Sequence, residues 1–424
     1  MMTTTCAHCT SGRRDFIKIA FGASAAAALS GKFLRPSLAA ASPPRAKSVI
    51  LLWMQGGPSQ LDTFDPKPGG ETGGPHKAIE TRTKGLLVSE HLPRVAQLSD
   101  RYSVIRTLFS KDPNHDTARY LLHTGYRTDP TVDHPHLGSL LSQELGTRAE
   151  GLPGCITLGK EPGAGSGYLA PELSPLLIEK IENPLEDLKL ASGVTSFRLA
   201  DREKLLWEQN EGFAARHPES RLESQRKAYE RAFSLMRSPN LKAFDLSSEK
   251  EETRRLYGSS PFGRACLMAR RLVESGVCFV EVTLADWDTH SDNFNRTRGL
   301  MEQLDPGMSG LLSDLAQRQM LDETLVIWMG EFGRTPRINA GNGRDHWTRA
   351  FTAALAGGGI AGGRVLGKTN AQGTETLDRP VSVQDLFATV YGQLGIDASK
   401  KYMTPSGRPV KILEGGDPVK ELLA

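Results

Sequence analysis

The segment Ser48–Met54, SVILLWM, is an almost unbroken apolar run that stops at Gly56-Gly57-Pro58. A strand with one wet face alternates apolar and polar residues, whereas a continuous apolar run is covered on both faces. Such a strand obliges the chain to supply a layer above and a layer below it. Comparable runs occupy residues 102–108 (YSVIRTL), 277–284 (VCFVEVTL) and 325–329 (LVIWM), the last ending at Gly330. Helical spacing of apolar residues marks 262–275 and 384–394, which stop at Gly276 and Gly395, the usual residue past a helix end. Apolar strands alternating with helices specify an α/β fold with a mostly parallel sheet.

The 424 residues suffice for one large α/β domain over 42–424. Residues 197–257 are dense in Arg, Glu, Lys and Gln with apolar residues at helical intervals, and read as a helical insertion with a solvated face. Residues 151–175 are rich in Gly and Pro and read as a long loop. Charged residues make up 24%, which excludes bulk disorder. The net charge of +3 gives no case for nucleic-acid binding, and no apolar run reaches the roughly 18 residues of a membrane span.

The start of the chain more than accounts for that charge, since Arg13, Arg14, Lys18, Lys32 and Arg35 face only Asp15 there. The twin arginine is followed by Phe16, an Ala- and Gly-rich apolar stretch and the small residues Ala39-Ala40-Ala41. Residues 1–41 thus resemble a twin-arginine export signal, removed after the export machinery carries the folded protein to a periplasmic or secreted location. Cys6 and Cys9 would leave with it. Cys155, Cys266 and Cys278 remain, too few for a disulfide scaffold.

Ligands of parallel sheets gather at the carboxyl ends of strands, and polar clusters follow the apolar runs here. Asp62 and Asp65 follow the first. Asp286, Asp288, His290 and Asp292 follow the third. Glu331 and Arg334, then Asp345 and His346, follow the fourth. One Asp after a strand is an ordinary turn residue. Three clusters mixing imidazole with carboxylate indicate a divalent metal, with Zn²⁺ or Mn²⁺ better suited than Ca²⁺.

The strings GGPSQLDTFDPKP, DWDTHSDNF, GEFGRTPRIN, GRDHW, AGGGIAGGRVLG and VQDLFATVYGQLGID resemble bacterial domain-of-unknown-function family 1501, over about residues 46–422. That resemblance implies the alkaline phosphatase and sulfatase superfamily, hence a three-layer sandwich and an exported metal-dependent hydrolase. Sulfatases carry C-x-P-S-R-x-x-L-x-T-G, whose Cys becomes the nucleophile. In 115–125 (HDTARYLLHTG) Arg119, Leu122, Thr124 and Gly125 fall in register, with His115 at the Cys. By the same likeness Asp288, His290, Glu331, Asp345 and His346 are candidate metal ligands. Gln55 ends the first strand where relatives have Asp, so Asp62 or Asp65 is a candidate replacement. His115 serves either as a ligand or as a covalent nucleophile, with ligand favoured.

Arg119 and Arg334 are candidates to hold the oxygens of an anionic ester, each equally well explained by a structural contact. Asp286 reads as a partner of a ligand His, while His123, His134 and His136 have no evident partner and read as surface or core residues. The expected substrates are phosphate or sulfate esters, including those on polysaccharide. Without a Ser or Cys nucleophile, a non-catalytic binding or scaffold protein on the same fold is the alternative.

Overall fold

The structure, a computed structural model, describes residues 45–186, 190, 192–216 and 222–424. The expected export signal over residues 1–41, with Cys6 and Cys9, lies outside the described residues. A nine-stranded sheet forms the centre. Its strands are β1 (Ser48–Met54), β2 (Tyr102–Phe109), β3 (Cys155–Leu158), β4 (Leu176–Ile178), β5 (Phe279–Leu284), β6 (Thr324–Met329), β7 (Phe351–Ala356), β8 (Val365–Leu366) and β9 (Val381–Ser382). The order is β8-β2-β7-β6-β1-β5-β3-β4, with β9 also on β2. All pairs are parallel except those made by β7.

The helices that matter for the site are α1 (His115–Thr124), α2 (Leu137–Leu145), α3 (Ser196–Ala214), α4 (Leu222–Arg237), α5 (Pro261–Ser275), α6 (Asn293–Gln317) and α7 (Val383–Leu394). Every residue of β1 is buried. Ile50, Leu52 and Met54 pack with α5 and α6 side chains such as Phe262, Leu267 and Leu311. Val49, Leu51 and Trp53 pack with Leu121 of α1, Leu140 of α2 and Leu386 of α7. The two-residue period of the strand thus feeds two cores, and the fold is a three-layer α/β sandwich. The region 197–257 contains α3, α4 and the short helix Glu251–Leu256.

Three elements depart from the sequence reading. The stretch 151–175 is not wholly a loop, because four of its residues form β3 between Gly- and Pro-rich flanks. Strand β7, FTAALA, is half alanine and has little intrinsic strand preference, and it is made by pairing with β2 and β6. Helix α6 runs 25 residues through Gly299, Pro306, Gly307 and Gly310, a composition that hides a helix. Cys155, Cys266 and Cys278 are buried free thiols.

Register puts the site's loops side by side. Trp53 lies level with Thr283 on one side and Met329 on the other. The segments starting at Gln55, Ala285 and Gly330 therefore leave the sheet at one rim.

Candidate metal centre

Asp288 occupies the middle of that rim. Its Oδ1 lies 2.6 Å from an Arg334 nitrogen, 3.2 Å from His290 Nε2, 3.4 Å from His115 Nε2 and 3.5 Å from His346 Nε2. His290 Nε2 and His346 Nε2 are 2.9 Å apart. Three imidazoles from three parts of the chain thus present the same ring atom to one carboxylate.

The far side of each ring explains why. His115 Nδ1 meets Glu331 Oε1 at 2.8 Å, His290 Nδ1 meets Asp345 Oδ1 at 2.8 Å, and His346 Nδ1 meets the Pro113 carbonyl at 2.7 Å. All three partners are acceptors, so each Nδ1 carries the hydrogen and each Nε2 is left with a free lone pair. Outward Nδ1–H bonds to carboxylate or carbonyl are the pattern that orients metal-ligating histidines. His115 Nε2 is buried without a hydrogen-bond partner, as a ligand nitrogen awaiting an ion would be. Ligand atoms on a tetrahedral zinc ion, with bonds of about 2.0–2.1 Å, lie about 3.3 Å apart, close to the spacings here. The donors of His115, Asp288 and His346 lie within 4.8 Å of one another. The residues present fit a divalent cation.

Local structure positions each group. Asn114 caps α1 by accepting from the backbone of Asp116 and Thr117, which sets His115 on the first turn. His346 pairs with Arg334 in a small antiparallel ladder. Asp288 and His290 sit on the segment between β5 and α6. Its backbone is gripped by Arg296, which donates to the Asp286 and Asp288 carbonyls. Gly56 lets β1 approach closely, with φ 110° and a position where a Cβ would lie 2.4 Å from Asp288 N. Its N–H donates to Glu331 Oε1 at 2.8 Å.

The electrostatics favour a cation. Asp288, Glu331 and Asp345 lie against the three rings, and the buried guanidinium of Arg334 contacts Asp288 directly. Burial acts to raise the Asp288 carboxyl, but the hydrogen bond and charge of Arg334, with His115 and His290, hold it below the usual range. The hydrogen bond to Glu331 raises His115 above the ordinary imidazole value. Burial lowers His346. The hydrogen bond from His290 lowers Asp345.

The sequence-derived set divides into three groups. His115, Asp288, His290 and His346 converge. Glu331 and Asp345 orient His115 and His290. Asp62 does not join them: it is fully buried, bound by Arg344 at 2.8 Å and Asn293 at 2.9 Å, and this ion pair consumes its charge. Asp65 is held by Lys67, Arg106 and Thr369. Neither replaces the missing carboxylate at Gln55. Arg334 is fully buried and bonds Gly56 O, Gly57 O, Arg344 O and Asp288, so it positions Asp288 and the β1 loop and does not reach an external anion. Arg119 pairs with Asp116 at 3.0 Å and also lines a cleft.

That cleft has a volume of 410 Å³ and opens beside His115, Asp288 and Glu331, with Arg119, Lys160 and Arg296 on its walls. Sequence reasoning missed Lys160, just past the short β3, and Arg296, just inside α6. The one signal available was a strand end followed by a basic residue.

His123 and His136 are a further correction: they share a buried partner. Glu281 of β5 lies 3.3 Å from His123 Nε2 and 3.1 Å from His136 Nε2, with all three side chains fully buried. His136 Nδ1 accepts from Gly138 N, so its Nε2 carries the hydrogen. His123 Nδ1 faces the Arg119 carbonyl at 2.8 Å, which turns its Nε2 toward Glu281. Trp53 covers this imidazole with ring centroids 4.2 Å apart. This buried pair fastens α1, which carries His115 and Arg119, to the sheet.

None of the curated proteins matches this chain in sequence. Among solved structures, a sulfatase from Pseudoalteromonas sp. (PsFucS1) aligns at 14% identity and TM-score 0.43, over 97% of this chain and 76% of that one. The phosphonate monoester hydrolase of Agrobacterium radiobacter aligns at 13% and 0.40, over 88% and 77%. A protein in the alkaline phosphatase superfamily from Vibrio parahaemolyticus aligns at 10% and 0.37, over 92% and 76%. Residues 46–423 match the family described as "Protein of unknown function (DUF1501)", and the chain belongs to that family.

Proposed function

We propose that this chain is an exported, metal-dependent hydrolase of phosphate or sulfate esters. The observation that carries the reading is the convergence of three imidazole lone pairs on Asp288, each locked from behind by an acceptor. A divalent ion bound there, zinc or manganese by its donor set, supplies a Lewis acid for an ester oxygen and lowers the pKa of a water.

The chain's own groups do the rest. Arg119, Lys160 and Arg296 line the cleft beside the metal ligands and attract an anionic group. Arg119 is placed to hold its non-bridging oxygens. Arg334 keeps Asp288 ionised and fixed, and Glu331 holds the His115 ring in one tautomer. His115 Nε2 faces Asp288 beside His346, so this reading takes His115 as a ligand, and with no Ser, Thr or Cys in the cleft lining it needs no covalent intermediate. That same lining favours a second reading, a binding protein for anionic, polysaccharide-borne groups that cleaves nothing. The twin-arginine segment would take the folded protein out of the cytoplasm. Among the described residues, no helix is long and apolar enough to cross a membrane.

The test is metal analysis of the purified protein followed by assay on generic aryl phosphate and sulfate esters. Bound zinc or manganese with turnover that is lost in His346→Ala and Asp288→Asn supports the hydrolase. Metal without turnover supports the binding protein. Metal content unchanged by both substitutions refutes the centre.

A further inference from the structure

A second cluster lies outside this centre. The strand pair Ala78–Glu80 and Leu87–Ser89 is antiparallel with Ala78 opposite Ser89. Continuing that register sets Lys77 beside Glu90 and His76 beside His91. The backbone confirms the first pairing, since Glu90 N donates to Lys77 O and Lys77 N donates to Glu90 Oε1 at 2.9 Å. The second brings His91 Nε2 to 3.1 Å from His76 Nδ1. Donor atoms of His76, Glu90 and His91 all lie within 4.8 Å of one another, and the three residues are part-exposed.

The tautomer of His76 suits a cation. Thr297 spends its hydroxyl hydrogen on the Asn293 carbonyl at 2.7 Å, so at 3.4 Å from His76 Nε2 it can only accept. His76 Nε2 therefore carries the hydrogen, and Nδ1 offers a lone pair toward His91. Glu90 gives one oxygen to Lys77 N and keeps the other. A cleft of 520 Å³ runs alongside Glu90 and His91, providing an entry path and space for a water as fourth ligand.

We propose that His76 Nδ1, His91 Nε2 and a Glu90 carboxylate oxygen form a second divalent-metal site of the zinc class, distinct from the Asp288 centre. His76 contacts the first turn of α6, which begins three residues after His290. An ion at this site would tie the strand pair to the helix that ends the Asp288–His290 segment.

The experiment strips the full-chain protein with chelator and titrates it with Co²⁺, reading the visible ligand-field bands, and with Zn²⁺, reading bound metal. Two sites give about two equivalents per chain, falling to about one in Asp288→Asn/His346→Ala and to about one in His91→Ala. In the Asp288→Asn/His346→Ala background, adding Glu90→Gln or His91→Ala weakens the remaining Co²⁺ binding by more than about 100-fold, beyond what the loss of an orienting partner does. Circular dichroism checks folding, and Glu90→Gln keeps the shape of the side chain. One equivalent lost with Asp288 and His346 and untouched by His91→Ala overturns this site and leaves the first standing. One equivalent lost only with His91→Ala sustains this site and overturns the first. No cobalt binding overturns both.

Discussion

Replacing Glu331 with Gln separates the charge behind His115 from its shape. Glu331 is buried, and its Oε1 accepts from both His115 Nδ1 and Gly56 N. A Gln carbonyl can keep both bonds, so the ring orientation survives while the carboxylate charge disappears. Outer partners of this kind contribute about 10–100-fold to metal affinity, or about 1.4–2.7 kcal/mol. The new amide NH₂ takes the place of Oε2, which is buried without a partner, so some folding stability, about 1–3 kcal/mol, is also lost. Competition against a chromophoric chelator measures the affinity, and denaturant unfolding of the metal-free protein measures stability. The pH dependence gives an independent reading. A proton competes with the ion for His115, so wild-type affinity falls as pH drops through a value above 6.5, and in Glu331→Gln that break moves down. Affinity unchanged within about 3-fold would refute the ligand role of His115, since second partners of real ligands cost at least about 10-fold.

Three further outcomes are expected. Glu281→Gln removes the buried carboxylate shared by His123 and His136 and should cost about 1–3 kcal/mol in denaturant unfolding, whereas a loss below about 0.5 kcal/mol would mean that the carboxylate does not hold the two rings. Burial acts to raise Glu281, but His123 and His136 hold it down at about 2, and burial lowers His136. Both groups bind fewer protons folded than unfolded, so wild-type stability should decline as pH falls below 6.5 and again from 4.5 toward 2; a thermal midpoint flat from neutral to acid pH would contradict this. Gly56→Ala places a Cβ 2.4 Å from Asp288 N and should cost about 1–3 kcal/mol together with metal binding. Gly146→Ala, with φ 69° and open space around it, should leave metal binding intact, and equal effects in the two variants would discount the close approach at Gly56.

The apolar runs announced β1, β2, β5 and β6 because burial on both faces leaves no polar residue to blur them. Strand β7 escaped because its alanines acquire strand geometry only from β2 and β6. His115, Asp288, His290 and His346 were legible as residue types placed after strands. Their division of labour was not, because which ring nitrogen carries hydrogen depends on distant acceptors such as the Pro113 carbonyl. Asp62 illustrates the opposite error. It has the right chemistry and the right place after β1, but Arg344, 282 residues away, claims it. His123 and His136 lacked a partner in the linear reading because Glu281 sits in mid-strand, where an apolar pattern leads one to overlook a single acid.

The ligands around Asp288 are gathered from far apart, with His346 anchored on a carbonyl 233 residues earlier in the chain. An unfolded chain therefore offers this centre only the Asp288–His290 pair, and full occupancy has to wait until long-range closure of the sheet is complete. His76 and His91 are separated by only 15 residues, a short loop that can close early. The two clusters would accordingly capture ions at opposite ends of the folding reaction, the His76–His91 pair as a nucleating clasp and the Asp288 centre as a proof of completed assembly.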